Sequence, residues 1–96
     1  MRPSLALDIH RLSLREAVKR HRAANLRVFG SALSGEDGED SDLDLLVDAL
    51  PGATLFDLGG LQLELEELLG VQVDLLTPGD LSPGLRDQIL MQARPV

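Results

Sequence analysis

Two aspartates stand at the entry to an apolar run, in the order Asp42-Leu43-Asp44. Side chains on a β-strand alternate between its two faces, so Asp42 and Asp44 should point the same way, with their Cα atoms roughly 7 Å apart. Two carboxylates held this close repel each other unless a cation lies between them. Magnesium suits such a pair because it takes hard oxygen ligands, usually one or two carboxylates together with substrate phosphates. The spacing therefore predicts a magnesium site.

A third carboxylate follows on the next predicted strand, where Asp74 is followed by two leucines, as Asp44 is. An aspartate on a core strand is costly to desolvate, so it needs a metal ion or a charged partner. Asp74 is therefore a candidate third ligand. The alternative is an aspartate at the exposed end of its strand.

The pair Gly30-Ser31 comes directly after a short apolar strand and opens a tight turn into a short helix. Unpaired N–H groups and the helix dipole at such a turn favour an anion such as a phosphate. The hydroxyl of Ser31 adds one more donor. These two residues are candidates for binding nucleotide phosphates.

Three other interpretations of this stretch fail on spacing. The positions after Gly35 are acidic, where a P-loop requires Lys followed by Ser or Thr. A calcium-binding EF-hand loop that began at Asp40 would place Leu45 at its glycine position and Pro51 at its glutamate position. A serine hydrolase is excluded because Ser31 lies in no Gly-x-Ser-x-Gly elbow and has no histidine near it in the sequence.

The charges are unevenly distributed within a net charge of −7. Seven of the nine Lys and Arg residues lie in the first 27 positions, and none lies between Val28 and Leu85, where there are 13 Asp and Glu residues. Such a segment cannot bind a nucleic-acid backbone directly, because that requires positive charge. A phosphate ligand must arrive with its metal ion or be met by the basic N-terminal helix.

The length of 96 residues predicts a single domain, 1–96, with one modest core. A partner protein or a second copy of the chain, in a homo-oligomer, is expected because an enzyme with its own lid and acceptor site is usually larger. The chain has no cysteine, no apolar run long enough for a membrane span and no signal-peptide core. We expect a cytoplasmic protein that has no membrane partner.

Capping and turn signals define the elements that must position these residues. We expect an α/β fold, with helices packed on a mixed sheet of at least three strands. A capping box formed by Ser13 and Glu16 predicts the start of the first helix. The expected helices cover 14–24, 55–69 and 84–93, the expected strands cover 26–29, 43–49 and 71–77, residues 1–11 form an arm, and 36–40 form a mobile charged loop.

Gly30-Ser31, ten further residues and then Asp42-Leu43-Asp44, with Asp74 on a following strand, resemble the signature of the polymerase-beta-like nucleotidyltransferase superfamily. The resemblance is greatest to its minimal nucleotidyltransferase (MNT) branch and covers nearly the whole chain. It implies that Gly30 and Ser31 hold the triphosphate of ATP and that Asp42 and Asp44 bind two Mg²⁺ ions. It also implies that Asp74 completes the metal site and takes the proton from the attacking hydroxyl.

Members of this branch are commonly encoded beside a small helical HEPN-class protein, with which they form a toxin–antitoxin pair, and some transfer AMP from ATP to a tyrosine of that partner. The resemblance therefore implies a magnesium-dependent AMP transferase that is the antitoxin of such a pair. Many members carry arginines after Gly-Ser, where this chain has Ala32-Leu33-Ser34. The alternative is a binding module that neutralises its toxin by contact alone. Transfer to a small molecule such as an aminoglycoside is disfavoured because no second substrate domain is present.

Overall fold

A computed structural model describes all 96 residues of the chain. Five α-helices, four β-strands and one 3₁₀ turn follow one another along it. In chain order they are α1 (Pro3–Ile9), α2 (Arg11–Arg20), β1 (Ala23–Phe29), α3 (Ser31–Ser34), β2 (Leu43–Ala49), α4 (Leu55–Leu69), β3 (Val73–Leu76), the 3₁₀ turn (Pro78–Asp80), α5 (Pro83–Gln92) and β4 (Arg94–Pro95).

The four strands form one mixed sheet in the order β3-β2-β1-β4. β1 pairs antiparallel with both β2 and β4, whereas β2 pairs parallel with β3. The expected α/β fold with a mixed sheet is confirmed. The two-residue strand β4 was not expected, because a segment so short carries no periodicity of its own.

The main core lies between one face of the sheet and the helices α1, α2 and α4. Leu43 and Leu45 of β2 point into it and are fully buried, as are Leu14 of α2 and Leu61 and Leu65 of α4. Full burial of a leucine side chain stabilises a fold by roughly 1.5–3 kcal/mol. These contacts fix β2, and with it the predicted metal site, at the centre of the molecule.

The predicted bounds of α4 are confirmed at both ends. Thr54 accepts a hydrogen bond from the Asp57 N–H, and the Asp57 carboxylate accepts one from the Thr54 N–H, which completes a capping box. At the other end Gly70 adopts a left-handed conformation with φ of 69°, which glycine reaches without a steric penalty. Local sequence signals therefore set both the start and the end of this helix.

The N-terminal predictions were less accurate. Residues 1–11 are not an arm, because most of them form α1. The next helix begins at Arg11 with His10 at its N-cap, so the capping box predicted at Ser13 and Glu16 does not form. It ends at Arg20, before Arg22, which has a φ of 53° that no helix accommodates. β1 consequently begins at Ala23, three residues earlier than expected.

Asp37 explains why α1 is ordered. Its carboxylate accepts a hydrogen bond of 2.8 Å from the Ser4 N–H, in the first turn of α1, and forms an ion pair of 3.1 Å with Arg2. Its side chain is fully buried. The Ser4 N–H is one of the donors that a helix leaves without an internal partner, so Asp37 stabilises the start of α1 from a distant loop. The 36–40 segment was expected to be a mobile charged loop, and that expectation is wrong for this residue.

The opposite face of the sheet is only partly covered. Phe29 and Leu46 of this face pack with Leu81 and Ala93, which lie on either side of α5. Ser82 is the N-cap of α5 as predicted, and the helix ends at Gln92, one residue earlier than expected. None of the protein's helices is long and apolar enough to cross a lipid bilayer. The uncovered part of this face carries the predicted site.

Candidate active site

Asp44 and Asp74 lie side by side on the uncovered face of the sheet. They are register partners in the parallel pairing of β2 with β3. Adjacent strands lie about 4.8 Å apart and register partners share a face, so the two carboxylates project together. Asp42, two positions before Asp44, projects to the same side. The structure therefore brings together the three carboxylates that the sequence singled out.

The exposure of Asp74 differs from the expectation. β3 is an edge strand that pairs only with β2, and Asp74 is exposed to solvent. The prediction of a buried aspartate on a core strand was wrong, because the four-residue β3 has no neighbour on its other side. Asp74 thus needs no partner to offset desolvation. Its place beside Asp44, and not its burial, makes it a candidate ligand.

Asp44 is the half-buried carboxylate of the site. Partial burial raises its pKa above the usual value of 3.8, and the negative charges of Asp74 and Asp42 raise the pKa further. Both effects disfavour the ionised form of Asp44 in the absence of a cation. A cation bound beside Asp44 would favour its ionised form and so offset the repulsion from the two neighbours.

The donor set fits magnesium that is bound together with phosphates. The carboxylates are hard oxygen ligands, as Mg²⁺ requires, and Asp42 and Asp74 lie near enough to Asp44 to raise its pKa. They do not, however, form a ready-made group of three or more metal-ligating side chains. Mg²⁺ commonly binds through one or two carboxylates and completes its shell with substrate oxygens, so a fully formed protein cage is not required.

Gly30 forms the wall of the site beside Asp44. Its φ of 75° and ψ of −151° belong to a region that is essentially open only to glycine. A Cβ atom at this position would overlap Oδ2 of Asp44 and lie 3.2 Å from its Cγ. Glycine is therefore required both for the turn out of β1 and for the position of the Asp44 carboxylate.

Ser31 begins the four-residue helix α3, as the sequence predicted. It is half-buried, and its carbonyl accepts hydrogen bonds from the Ser34 hydroxyl and from the Glu36 N–H. These bonds hold the turn closed.

A cavity of about 430 Å³ opens next to Gly30, between α3 and the end of α5. Leu33 and Ser34 line it on one side, and Gln92 and Arg94 line it on the other. A larger cavity of about 500 Å³ lies between α2 and β1, but none of the predicted site residues lines it. We assign function to the smaller cavity because it is lined by Gly30, the residue that lies against the Asp44 carboxylate.

Arg94 was missed in the sequence. It lies 50 positions after Asp44, and only the pairing of β4 with β1 brings it near Gly30. No local pattern indicates that pairing, so no signal in the sequence could have placed Arg94 beside the Gly-Ser turn.

A sequence profile of the family described as nucleotidyltransferase domain matches residues 11–96. The chain belongs to the nucleotidyltransferase domain family. The resemblance found in the Gly-Ser and Asp-x-Asp motifs is thereby confirmed, and the chain is a nucleotidyltransferase by family.

Relatives of this nucleotidyltransferase have names that specify an activity. Protein adenylyltransferase MntA of Thermococcus cleftensis is 38% identical over 86 residues, which are 90% of this chain and 84% of that protein. A Methanocaldococcus jannaschii protein, named as a candidate protein adenylyltransferase, is 43% identical over 74 residues, which are 77% of this chain and 80% of that protein. The chain is therefore similar to protein adenylyltransferases over most of its length.

Solved structures agree on the fold. A candidate minimal nucleotidyltransferase superposes with a TM-score of 0.88 at 46% identity and covers 97% of this chain and 95% of its own. A toxin–antitoxin complex with AMP-PNP contains a chain that superposes with a TM-score of 0.69 at 23% identity, over 83% of this chain and 66% of that one. At that identity the second match supports the nucleotidyltransferase fold alone.

Proposed function

We propose that this protein is a magnesium-dependent nucleotidyltransferase that transfers AMP from ATP to a partner protein. The observation that carries the proposal is the register of Asp44 with Asp74, beside Asp42 and against Gly30. The whole chain, 1–96, acts in this proposal as a single minimal nucleotidyltransferase domain.

The reaction is an in-line displacement at the α-phosphorus of ATP. The acceptor hydroxyl oxygen forms a new bond to that phosphorus while the bond to the bridging oxygen breaks, and pyrophosphate leaves. Two Mg²⁺ ions held by Asp42, Asp44 and Asp74 would neutralise charge on the attacking and leaving oxygens. Asp74 is the carboxylate proposed to take the hydroxyl proton, because it is the exposed member of the register pair.

Gly30 and Ser31 are proposed to hold the triphosphate. The absence of a side chain at Gly30 lets a phosphate approach the backbone beside Asp44. Ser31 contributes its N–H and its hydroxyl at the same turn. Catalysis of phosphoryl transfer relies chiefly on positioning and charge stabilisation, so a compact site of this kind is sufficient.

The acceptor is proposed to be another protein, because the chain contains no tyrosine that a tyrosine-directed transferase could modify. We propose a helical HEPN-class toxin as the partner, this chain as its antitoxin, and the cytoplasm, where ATP and magnesium are available, as its location. The names of the relatives as protein adenylyltransferases support a protein as the acceptor.

The test is label transfer with magnesium and ATP labelled at its α-phosphate. The chain alone should remain unlabelled, whereas a helical protein encoded beside it should gain label, and EDTA or Asp44→Asn should abolish the transfer. Efficient self-labelling would contradict the choice of acceptor. Neutralisation of the toxin by the parent and by Asp44→Asn alike, with no ATP bound, would favour the contact-only binding module instead.

A further inference from the structure

We propose that Arg94 binds the polyphosphate of the nucleotide and supplies positive charge that the Gly-Ser turn itself lacks. The inference rests on the proposed function, since it assigns one more residue to the same ATP site. It concerns substrate binding, and it names a residue that lies far from the motif in sequence.

The elements that form the site carry no cation of their own. No Lys or Arg lies between Val28 and Leu85, so the Gly30-Ser31 turn, β2 and β3 contain only neutral and acidic residues. A triphosphate that approaches three carboxylates is repelled unless positive charge compensates, and metal ions alone would have to supply all of it. A positively charged side chain at this position would reduce the repulsion between the triphosphate and the carboxylates.

Arg94 is the charged residue that lines the cavity beside Gly30. The pairing of β4 with β1 sets Arg94 opposite Val28, two residues before Gly30. The remaining lining residues, on α3 and at the end of α5, are uncharged. The cavity of about 430 Å³ thus joins one cationic side chain to the turn that is proposed to hold phosphates.

The guanidinium of Arg94 is both held in place and free to bind an anion. Its Nη1 donates hydrogen bonds of 3.2, 3.0 and 3.2 Å to the carbonyls of Met91, Gln92 and Ala93. All of its hydrogen bonds come from this one nitrogen, and it forms no ion pair with a carboxylate. The planar fork of arginine therefore keeps two nitrogens for an oxyanion, in the geometry that suits phosphates.

The buried cation of β1, Arg27, is already neutralised. Arg27 donates to Asp48 at 3.2 Å and to the Asn25 carbonyl at 2.8 Å. The same ion pair lowers the pKa of Asp48. Arg27 is thus committed to a structural pair, whereas the charge of Arg94 is uncompensated.

A purely structural role would make Arg94 a cap for the last carbonyls of α5. The two roles predict different nucleotide affinities for the variants of Arg94. Arg94→Lys keeps the positive charge and should keep part of the nucleotide affinity, whereas a role confined to carbonyl hydrogen bonds would leave nucleotide affinity unchanged in every variant. Binding and melting temperature therefore have to be measured together.

The experiment measures the Kd of magnesium-ATP and of magnesium-tripolyphosphate by calorimetry for the parent, Arg94→Gln, Arg94→Lys and Lys19→Gln. Lys19 is exposed on α2 and lines the cavity that none of the predicted site residues lines, so its substitution is a control with the same change in net charge. Arg94→Gln should weaken both ligands about tenfold, the effect of losing a charge-assisted hydrogen bond. Arg94→Lys should weaken them less, and Lys19→Gln should bind like the parent.

The outcomes separate the two proposals. If the folded parent binds neither ligand, both the ATP site and this role of Arg94 are overturned. If the parent binds and Arg94→Gln binds equally well, only the role of Arg94 is overturned. If Arg94→Gln melts below the measuring temperature, the comparison of Arg94→Lys with the parent decides, and equal affinities in both would overturn the inference.

Discussion

The carboxylate of Asp44, on β2, lies directly over Gly30, in the turn that ends β1, with no room between them for a Cβ atom. This contact links two parts of the motif that are separated by 13 residues in sequence. The antiparallel pairing of Phe29 with Asp44 brings them together. The turn proposed to hold phosphates and the strand proposed to bind metal are thus positioned by one contact.

We predict that Gly30→Ala lowers the free energy of unfolding by about 1–3 kcal/mol and also abolishes ATP binding. The new Cβ would clash with Asp44 Oδ2, and the positive φ of Gly30 would strain any side chain. Gly38→Ala is the control, since a Cβ there meets nothing within 4 Å. Chemical denaturation and ATP titration measure the two effects.

The contribution of the clash itself is separable. Adding Asp44→Ala to Gly30→Ala should recover part of the lost stability, because it removes the side chain that the new Cβ meets, although the backbone strain remains. Strictly additive effects of the two substitutions would show that Asp44 and Gly30 do not interact as described.

The effect of Asp44→Asn on the stability of the protein should depend on whether metal is present. In EDTA we expect the variant to equal the parent in stability or to exceed it by roughly 0.5–2 kcal/mol, since it removes repulsion from Asp42 and Asp74 and the cost of burying a charge. In excess Mg²⁺ the order should shift toward the parent, because a ligand of the native state stabilises it by mass action. Thermal melts in the two buffers measure both.

A suitable control is Asp87→Asn, on an exposed position of α5 that lies outside the site. It should change the melting temperature little in either buffer. The opposing hypothesis treats Asp44 as a structural aspartate whose loss costs roughly 1–3 kcal/mol under both conditions. A drop in melting temperature that is independent of metal would support that hypothesis.

The sequence predicted elements well where local signals determine them. α4 begins at the Thr54–Asp57 capping box and ends at Gly70, and β2 follows directly from its apolar pattern. The sequence also indicated that Asp74 belongs with Asp44, because the Asp-Leu-Leu segment that contains Asp44 is repeated at Asp74. The structure aligns the two segments in register on parallel strands. The sequence alone therefore predicted that three carboxylates and a turn form the site.

Long-range contacts determined the features that could not be predicted. α1 depends on a hydrogen bond between the Ser4 N–H and Asp37, which are 33 positions apart, and Arg94 reaches the site only through β4. The exposure of Asp74 follows from the position of β3 at the sheet edge, which depends on strand order and not on its own residues. Each of these is a tertiary effect.

The last prediction concerns pH and uses Asp37, away from the candidate site. The Ser4 N–H and the Arg2 guanidinium stabilise its ionised form, and they hold its pKa below the usual 3.8 in spite of burial. The folded protein therefore binds this proton less readily than the unfolded chain does. The resulting stabilisation is complete above the unfolded pKa, near 3.8, and is lost as the pH falls through the lower folded pKa.

Asp37→Asn should therefore destabilise the protein by about 1–3 kcal/mol at pH 7, because it keeps the shape of the side chain but removes the charge that Arg2 faces. The difference between variant and parent should stay constant from pH 7 to about pH 5. It should shrink below about pH 4, where the unfolded parent begins to bind the proton, until the folded parent is protonated as well. Urea denaturation at a series of pH values measures it, with Glu39→Gln as an exposed control from the same loop. A difference that persists unchanged at low pH would show that Asp37 acts through packing and not through its charge.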